Sequence, residues 1–435
     1  MAAFSHLPTR SPAHLPTCCL MLHATLKNFA LETLQHLGQA DLVIGISTYP
    51  RRSKTAIHAA KQAILGAQRY FPHLRAALIN ADVGINPQTR QNLQKLASPE
   101  LPVITSRYNG VLGKGAAVSA ILHGALLLNP QAIIILDGQT TSVTPEWIPA
   151  LSSFVLNKQS DLVKPRYHWP LPDGGLSDLL FYPFIRALWG TSMRHPAAAE
   201  YALSPALAQT LLKQDVWQTE INRYGFDVWL SAFAITQNWR VAQAALGSKE
   251  TASAKQSAAS LTAFKDAVGV MLRQVYLRQE LWPGKTPVKS TPTLSKFAPP
   301  VKTVFTSNKD CAEYIEGLAL GWIEYRALWK RIMLPEHLLA VEYLTSRSNK
   351  QFYFPSDLWA KIAYDFAVVY NKGERDPDAI ALALYPLYLG RLASFWGEIA
   401  GLSNVGRAGT VAAQAVEFEE HLPYLKYRWD QYSEQ

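Results

Sequence analysis

Four short apolar runs alternate with three longer stretches of helical spacing in the first third of the chain. The apolar runs cover residues 42–47, 75–80, 101–105 and 132–136, and the helical stretches cover residues 55–70, 87–96 and 113–128. Short apolar runs are typical of strands that are buried on both faces of a sheet. Their regular alternation with helices predicts a doubly wound α/β sheet with right-handed crossovers.

Polar residues end or follow each of the four runs. In an open α/β sheet, ligands bind in the crevice beyond the carboxyl ends of the strands, so these residues are site candidates. They are Ser47, Asn80, Asp82, Ser106 and Asp137. Asp137 is the strongest of them because it ends a buried run and precedes a polar loop. The alternative is that its carboxylate only caps the following turn.

Residues 110–115 read GVLGKG, which invites comparison with a phosphate-binding loop. A Walker loop requires Ser or Thr after its lysine, and here Gly115 follows Lys114. A Gly-x-Gly-x-x-Gly motif is also missing after the first strand, which disfavours a dinucleotide-binding fold. Lys114 remains a candidate for holding a nucleotide or diphosphate. The alternative is a solvated lysine at a glycine-rich helix start.

Four further residues are candidates, each with a structural alternative. Glu200 lies in the apolar stretch PAAAEYALS, where an acid is costly to bury without a partner. Asp227 lies near the start of an apolar helix, where the helix dipole alone favours an acid. Arg166 and His168 follow an apolar run, and either could be an ordinary surface residue.

The length of 435 residues predicts two domains. We predict a disordered leader over residues 1–25, a sheet domain over residues 26–255 and an α-helical domain over residues 256–435. Within the sheet domain, residues 200–203 predict an edge strand and residues 240–246 predict the strand that closes the sheet. Residues 283–302 are rich in Pro, Lys and Thr and predict an extended linker.

The charge and the cysteine content limit which partners and which cellular compartment are expected. The net charge is +9, but the basic residues are scattered, so nucleic-acid binding is disfavoured. The 3 cysteines cannot form a disulfide framework and show no zinc spacing, so a cytoplasmic protein is expected. The longest N-terminal apolar stretch, residues 18–22, is too short to span a membrane.

The predicted strands, helices and polar loops occur along the chain in the order found in one family. Over about residues 40–430 the chain resembles the GT-A glycosyltransferases of the mannosylglycerate synthase and glucosyl-3-phosphoglycerate synthase group. The matching segments are DLVIGISTYPRRSKTAI, YFPHLRAALINADVG, GVLGKGAAVSAIL, IIILDGQTTSVTPEWI, LVKPRYHW, YPFIRALWG, HPAAAEYALS, YGFDVWLSAFAI, VAQAALGSKE and, in the helical region, FYFPSDLWAKIAYDFAVVYNKGERDPDAI. The resemblance implies a GT-A fold and retaining transfer of a glucose- or mannose-class hexose from a nucleotide-diphosphate sugar to a small hydroxy acid. The helical region also predicts a homodimer or higher homo-oligomer.

The resemblance implies roles for individual residues. Catalytic roles fall on Asp137, Glu200 and Asp227. Donor binding falls on Ser47, Tyr49, Asn80, Asp82, Lys114 and Gln139. Acceptor binding falls on Gly174, Gly175 and Arg166. Asp137 is also the position of a ligand to Mg²⁺ or Mn²⁺.

This sequence departs from the family at the residues that carry chemistry. Gln139 replaces the second acid of the Asp-x-Asp metal site, and Thr251 replaces the expected metal-binding histidine. Ala198 and Ala199 replace a glycine pair, and Leu176 replaces an arginine that would bind the acceptor carboxylate. A metal normally neutralises the leaving diphosphate, so dependence on Mg²⁺ or Mn²⁺ is expected to be weak or absent.

Two readings follow from these departures. In the first, cations take over the role of the metal, and the candidates are Lys114, Arg51, Arg52 and Lys249. In the second, the chain is a catalytically inactive homologue that acts as a binding or assembly protein. A nucleotidyltransferase is disfavoured, because the glycine-rich loop that such enzymes place after the first strand is missing.

Overall fold

The computed structural model describes residues 23–48, 53–84, 87–168, 175–251, 258–282, 288–299, 311–347 and 352–432. Tyr49, Arg51, Arg52 and Gly174 lie outside these ranges, and so do residues 1–22 of the predicted leader. Thr25, the last residue of that predicted leader, lies in a short strand.

Within these ranges, nine strands form one sheet. They are β1 (Thr25–Leu26), β2 (Leu42–Thr48), β3 (Ala76–Asp82), β4 (Val103–Asn109), β5 (Ala132–Asp137), β6 (Leu162–His168), β7 (Tyr201–Leu203), β8 (Val241–Ser248) and β9 (Thr293–Leu294). Their order in the sheet is β1-β4-β3-β2-β5-β7-β6-β8-β9. The four strands predicted from the apolar runs are β2 to β5, and they pair in parallel.

Two details of the predicted sheet are wrong. β7 is not an edge strand, because it lies between β5 and β6 and is antiparallel to both. β8 does not close the sheet, because β9, from the stretch predicted as a linker, pairs in parallel with it. Both β7 and β9 are two or three residues long. A strand of that length is too short for apolar periodicity to reveal its neighbours.

Helices flank the sheet and then continue as a helical region. The first eight are α1 (Asn28–Leu37), α2 (Ser53–Tyr70), α3 (Gln88–Gln94), α4 (Lys114–Leu126), α5 (Trp147–Leu156), α6 (Tyr182–Trp189), α7 (Pro205–Leu212) and α8 (Phe226–Thr236). The C-terminal eight are α9 (Ala258–Leu277), α10 (Ala312–Ile332), α11 (Pro335–Thr345), α12 (Ser356–Lys372), α13 (Pro377–Ala383), α14 (Tyr385–Ile399), α15 (Asn404–Glu420) and α16 (Leu422–Gln431). Shorter helical turns cover Ser177–Phe181, Glu220–Asn222 and Gln279–Leu281.

An apolar core lies on each face of the sheet. On one face, side chains of β2, β3 and β5 pack against α2 and α5, with Trp147 fully buried. On the other face, the core includes α1, α4 and α8 and continues into the C-terminal helices through residues such as Val268 and Trp359. The predicted fold class, a doubly wound mixed α/β sheet followed by a mainly helical region, is therefore confirmed.

One helical segment among the described residues, Pro377–Ile399, is long and apolar enough to cross a membrane by length and composition. It comprises α13 and α14, which are separated at Leu384, two residues before Pro386. Of its most apolar window, 78% is buried inside the protein. The core helices of a globular protein pass the same test, and the burial of this segment fits that explanation.

Candidate active site

The sheet topology brings four of the predicted site residues to one edge. β5 ends at Asp137, and β7 runs in the opposite direction, so Glu200, which precedes β7, lies at the same edge. α4 begins at Lys114, and Asp227 is the second residue of α8. Lys114 and Asp227 meet although 113 residues separate them in sequence.

The glycine-rich stretch before α4 is a close backbone contact. A Cβ atom on Gly115 would lie 2.3 Å from the carbonyl oxygen of Ile221. The Gly115 N–H donates to the carbonyl oxygen of Arg223 over 3.0 Å. A larger residue at position 115 would push α4 away from the segment that leads into α8. The glycine therefore allows Lys114 to reach Asp227.

Lys114 and Asp227 form a buried ion pair, in which Lys114 Nζ donates to Asp227 Oδ2. Burial alone would lower the pKa of Lys114, but the nearby carboxylates of Asp227 and Asp137 outweigh it and raise that pKa. Asp227 Oδ1 is buried and has no hydrogen-bond partner in the described structure. A buried carboxylate oxygen without a donor is costly. This oxygen is therefore a well-placed acceptor for the hydroxyl group of a ligand.

Glu200 is held by three donors. Its side chain is 0% exposed, and it accepts hydrogen bonds from Thr140, from the Tyr167 hydroxyl over 2.7 Å and from Lys249 Nζ over 2.7 Å. Burial alone would raise the pKa of Glu200, but Lys249 and these hydrogen bonds lower it to about 2. Glu200 is therefore ionised at neutral pH and fixes the positions of Lys249 and Tyr167.

A further buried lysine at this site was not predicted from the sequence. Lys164 lies in β6, where Nζ donates to the carbonyl oxygen of Ala198 over 2.6 Å and lies 4.7 Å from the centre of the Tyr201 ring. Burial lowers the pKa of Lys164 to about 7. The signal that could have revealed it is a lysine inside the run LVKPRY, because such a residue has to be buried in a strand of the sheet interior.

The charged residues at this edge form one buried charge cluster. It consists of the buried residues Lys114, Lys164, Lys249, Glu200 and Asp227 and of Asp137, which is half-buried. Burial raises the pKa of Asp137 even though Lys114 opposes that change, and Asp137 Oδ1 accepts a hydrogen bond from the Gln139 N–H over 2.9 Å. Three lysines and three carboxylates thus lie within electrostatic reach of one another at this edge.

The stability of the protein is expected to depend on the pH through Lys164. In the folded state its pKa is about 7, against an ordinary value of 10.5. Between these values the unfolded chain binds the extra proton, so the free energy of unfolding rises with pH, by up to about 1.4 kcal/mol per pH unit. Urea denaturation of the wild type and Lys164→Met from pH 7 to pH 10 measures this. The difference between the two proteins should change with that slope, and a difference independent of pH would contradict the assignment.

The residues around Asp137 do not suit Mg²⁺ or Mn²⁺, which require several oxygen ligands including carboxylates. Thr251, the residue that the family resemblance matches to a histidine, pairs with Thr140 in the loop that follows Asp137. A threonine hydroxyl and the amide of Gln139 are weak substitutes for an imidazole and a carboxylate. The described residues contain no group of three or more His, Cys, Asp or Glu side chains that could hold a metal.

The predicted donor-binding residues Ser47, Asn80 and Asp82 lie at the carboxyl ends of β2 and β3, at the same edge. Ser47 pairs in register with Asp137. The side-chain oxygens Ser47 Oγ and Asn80 Oδ1 are buried without a hydrogen-bond partner among the residues described. Asp82 differs, because its carboxylate pairs with Arg90. Ser47 and Asn80 therefore offer polar atoms to a ligand, whereas Asp82 holds its own loop.

The predicted acceptor residues lie on the side of the site that faces the helical region. Arg166 is exposed near the end of β6. A Cβ atom on Gly175 would lie 2.8 Å from a methyl group of Leu392 and 2.9 Å from the Tyr388 hydroxyl, so the glycine packs closely against α14. The structure thus places these two residues next to the C-terminal helices.

Comparison with known proteins yields likenesses to solved structures, while no family model and no curated protein matches the chain. One such structure is glucosyl-3-phosphoglycerate synthase from Mycobacterium tuberculosis in complex with phosphoglyceric acid, at 17% identity over 56% of this chain and 82% of that chain, with a TM-score of 0.41. A second is mannosyl-3-phosphoglycerate synthase from Rubrobacter xylanophilus, at 15% identity over 59% of this chain and 80% of that chain, with a TM-score of 0.38. A third is S. aureus TarS 1-349 in complex with UDP, at 13% identity over 90% of this chain and 92% of that chain, with a TM-score of 0.39.

Two of these structures carry the name of a synthase, and the third was solved with UDP bound. The class that the fold and the site of this chain define is an α/β sheet protein with a buried charge cluster at the carboxyl ends of its strands. Its particular substrates are the subject of the proposal that follows.

Proposed function

We propose that this protein is a GT-A glycosyltransferase that moves a glucose- or mannose-class hexose from a nucleotide-diphosphate sugar to a small hydroxy acid. The transfer is retaining and independent of Mg²⁺ and Mn²⁺. The observation that carries the proposal is the convergence of Lys114, Asp137 and Asp227 in one buried cluster at the strand-end edge. The ordered sequence motifs support the same assignment.

Each member of the cluster has a role in this proposal. Lys114 neutralises the diphosphate as the bond between the sugar C1 and the diphosphate oxygen breaks, because a preorganised charge stabilises the developing anion. Asp137 contacts the donor sugar or ribose. Asp227 Oδ1 accepts a hydrogen bond from the acceptor hydroxyl and orients it. The hydroxyl oxygen forms the new bond to C1, and its proton passes to the leaving diphosphate. Glu200 holds Lys249 beside the diphosphate.

A nucleoside diphosphate is expected to stabilise the protein equally in EDTA and in Mn²⁺, because lysines rather than a metal bind the phosphates. At a ligand concentration of about 100 times Kd, the gain in the free energy of unfolding is about 2.7 kcal/mol. Thermal shift with UDP, GDP, ADP, CDP and dTDP measures the effect. If none of these nucleotides stabilises the protein, the proposed donor site is wrong. Stabilisation in Mn²⁺ alone would contradict the proposed independence of a metal.

A second candidate is a catalytically inactive GT-A homologue that serves as a binding or assembly protein. The observation that favours it is the internal pairing of the charges, Lys114 with Asp227 and Lys249 with Glu200. Sugar transfer that is lost in Asp137→Asn would exclude this candidate, and nucleotide binding without transfer would support it.

Light scattering and cell fractionation test the proposed homo-oligomer and the proposed cytoplasmic location.

A further inference from the structure

A pocket with a volume of about 110 Å³ lies between the end of β6 and the helices α14 and α15. Three arginines from distant parts of the chain line it, namely Arg166, Arg194 and Arg407. Arg166 comes from the sheet, Arg194 from the segment between α6 and β7, and Arg407 from α15 in the helical region. The family resemblance assigned nothing to Arg194 or Arg407.

The lining of this arginine pocket carries a positive charge. Arg194 pairs with the lining acid Asp178 over 3.0 Å, and its Nε atom is buried without a hydrogen-bond partner in the described chain. Arg166 forms no ion pair with any described carboxylate, and it is exposed to the pocket. The lining holds three guanidinium groups and one carboxylate, which is a net charge of +2. A pocket of this charge favours an anion.

The two histidines that line the pocket, His168 and His195, do not contribute to its positive charge. Burial lowers the pKa of His168, and Arg166 and Arg194 lower it further. Burial also lowers the pKa of His195 well below its ordinary value, and His195 Nδ1 accepts a hydrogen bond from the Tyr167 N–H over 3.2 Å. Both rings are therefore uncharged at neutral pH, and they shape the pocket.

The pocket adjoins the buried charge cluster through Tyr167. Tyr167 is one of the residues that line the pocket, and its hydroxyl donates to Glu200 over 2.7 Å. A ligand in the pocket thus contacts a residue that is hydrogen-bonded to Glu200 of the charge cluster. Leu176 stands where the family has its acceptor-binding arginine, so another cation has to take that role if the acceptor is an acid.

We infer that the arginine pocket binds the carboxylate or phosphate group of the acceptor, with Arg407 of the helical region and Arg166 of the sheet gripping it from opposite sides. This inference rests on the proposed glycosyltransferase function. It makes α15 a determinant of acceptor specificity, because an arginine from the helical region replaces the one lost at Leu176. Guanidinium groups suit this task, since they donate paired hydrogen bonds to carboxylate and phosphate oxygens.

Titration calorimetry with the full chain tests the inference. The probes are glycerate, which offers a carboxylate, 3-phosphoglycerate, which adds a phosphate, and glycerol, which is uncharged. We expect the wild type to bind one or both acids and not glycerol. Arg407→Met and Arg166→Met should each weaken that binding about tenfold or more, because a charge-assisted hydrogen bond is lost. The exposed Arg331 of α10 supplies the matched control Arg331→Met, which should bind as the wild type does.

The outcomes separate this inference from the proposed function. Acid binding that survives in both pocket variants, or glycerol binding as tight as glycerate binding, would overturn the arginine pocket while nucleotide binding still supported the donor site. Failure of every nucleotide to bind would instead remove the proposed function. Arg166→Met keeps the test valid if Arg407→Met is unstable, because Arg166 is exposed and its replacement leaves the core unchanged.

Discussion

Replacement of Lys249 by methionine is expected to lower the free energy of unfolding by about 3–5 kcal/mol, the usual cost of removing one partner of a buried ion pair. Lys249 Nζ lies 2.7 Å from Glu200 Oε2, and the Glu200 side chain is 0% exposed. The variant keeps the volume of the lysine stem but leaves the carboxylate of Glu200 without its closest cation. Urea denaturation at pH 7 measures the loss.

Two variants show whether charge is the cause. The double variant Glu200→Gln/Lys249→Met removes both charges and should regain most of the lost stability. The exposed Lys61 of α2 provides the control Lys61→Met, which should stay within about 0.5 kcal/mol of the wild type. If the double variant is as unstable as Lys249→Met, then packing rather than charge explains the loss.

The cost of Lys249→Met should also shrink in acid. In the wild type, the pKa of Glu200 is lowered from 4.5 to about 2, so its contribution to stability is complete above pH 4.5 and disappears as the pH falls through about 2. Without Lys249, burial raises the pKa of Glu200, and a proton can relieve the unpaired charge. The difference between the variant and the wild type should therefore be largest near neutral pH and smaller at pH 3.

The edge of the sheet at which the candidate site lies could be predicted from the sequence, because it follows from the architecture. Apolar runs identify β2 to β5, parallel pairing brings their ends together, and Asp137 ends the last of them. The glycine-rich stretch also marks a close approach, although its contact is with the backbone of Ile221. These inferences use local patterns and one general rule about where α/β sheets bind ligands.

The pairing of charges could not be predicted in the same way. Lys114 and Asp227 are 113 residues apart, and Glu200 and Lys249 are 49 residues apart. The contact of Glu200 with Lys249 depends on β7 running antiparallel inside the sheet, and a strand of three residues leaves no periodic signal. The contact of Lys114 with Asp227 depends on the close approach of α4 to the segment that leads into α8. The burial of Lys164 does not follow from alternation in β6, because Arg166 and His168, which lie on the same side of the strand, are exposed.

The arginine pocket could not be predicted from the sequence, because its lining comes from both the sheet and the helical region. Arg407 lies 241 residues after Arg166 in sequence, and α15 carries no motif that points to the sheet. The family resemblance places the acceptor-binding arginine within residues 174–176, where this sequence has Leu176 instead. The structure shows what surrounds that gap, because Gly175 packs against α14 and Arg194 and Arg407 line the adjoining pocket.

Removal of the Lys114 charge is expected to reduce kcat/KM for sugar transfer by about 10²–10³-fold, the usual loss when one preorganised group that stabilises the developing anion is deleted. Lys114→Met leaves Asp227 as an unpaired buried acid, so its stability has to be measured beside its activity. The double variant Lys114→Met/Asp227→Asn avoids that problem, because neither charge remains. Both variants should fail to bind nucleoside diphosphates.

Asp227→Asn alone separates binding from catalysis. It frees the Lys114 ammonium from its partner, so nucleoside diphosphates should bind at least as tightly as they bind to the wild type. Transfer should nevertheless fall, because the amide is a weaker acceptor than Asp227 Oδ1 for the acceptor hydroxyl. Calorimetry with the nucleotide and an assay of the transferred sugar measure the two effects separately. If Asp227→Asn loses nucleotide affinity together with Lys114→Met, the ion pair itself builds the donor site, and Lys114 does not bind the diphosphate alone.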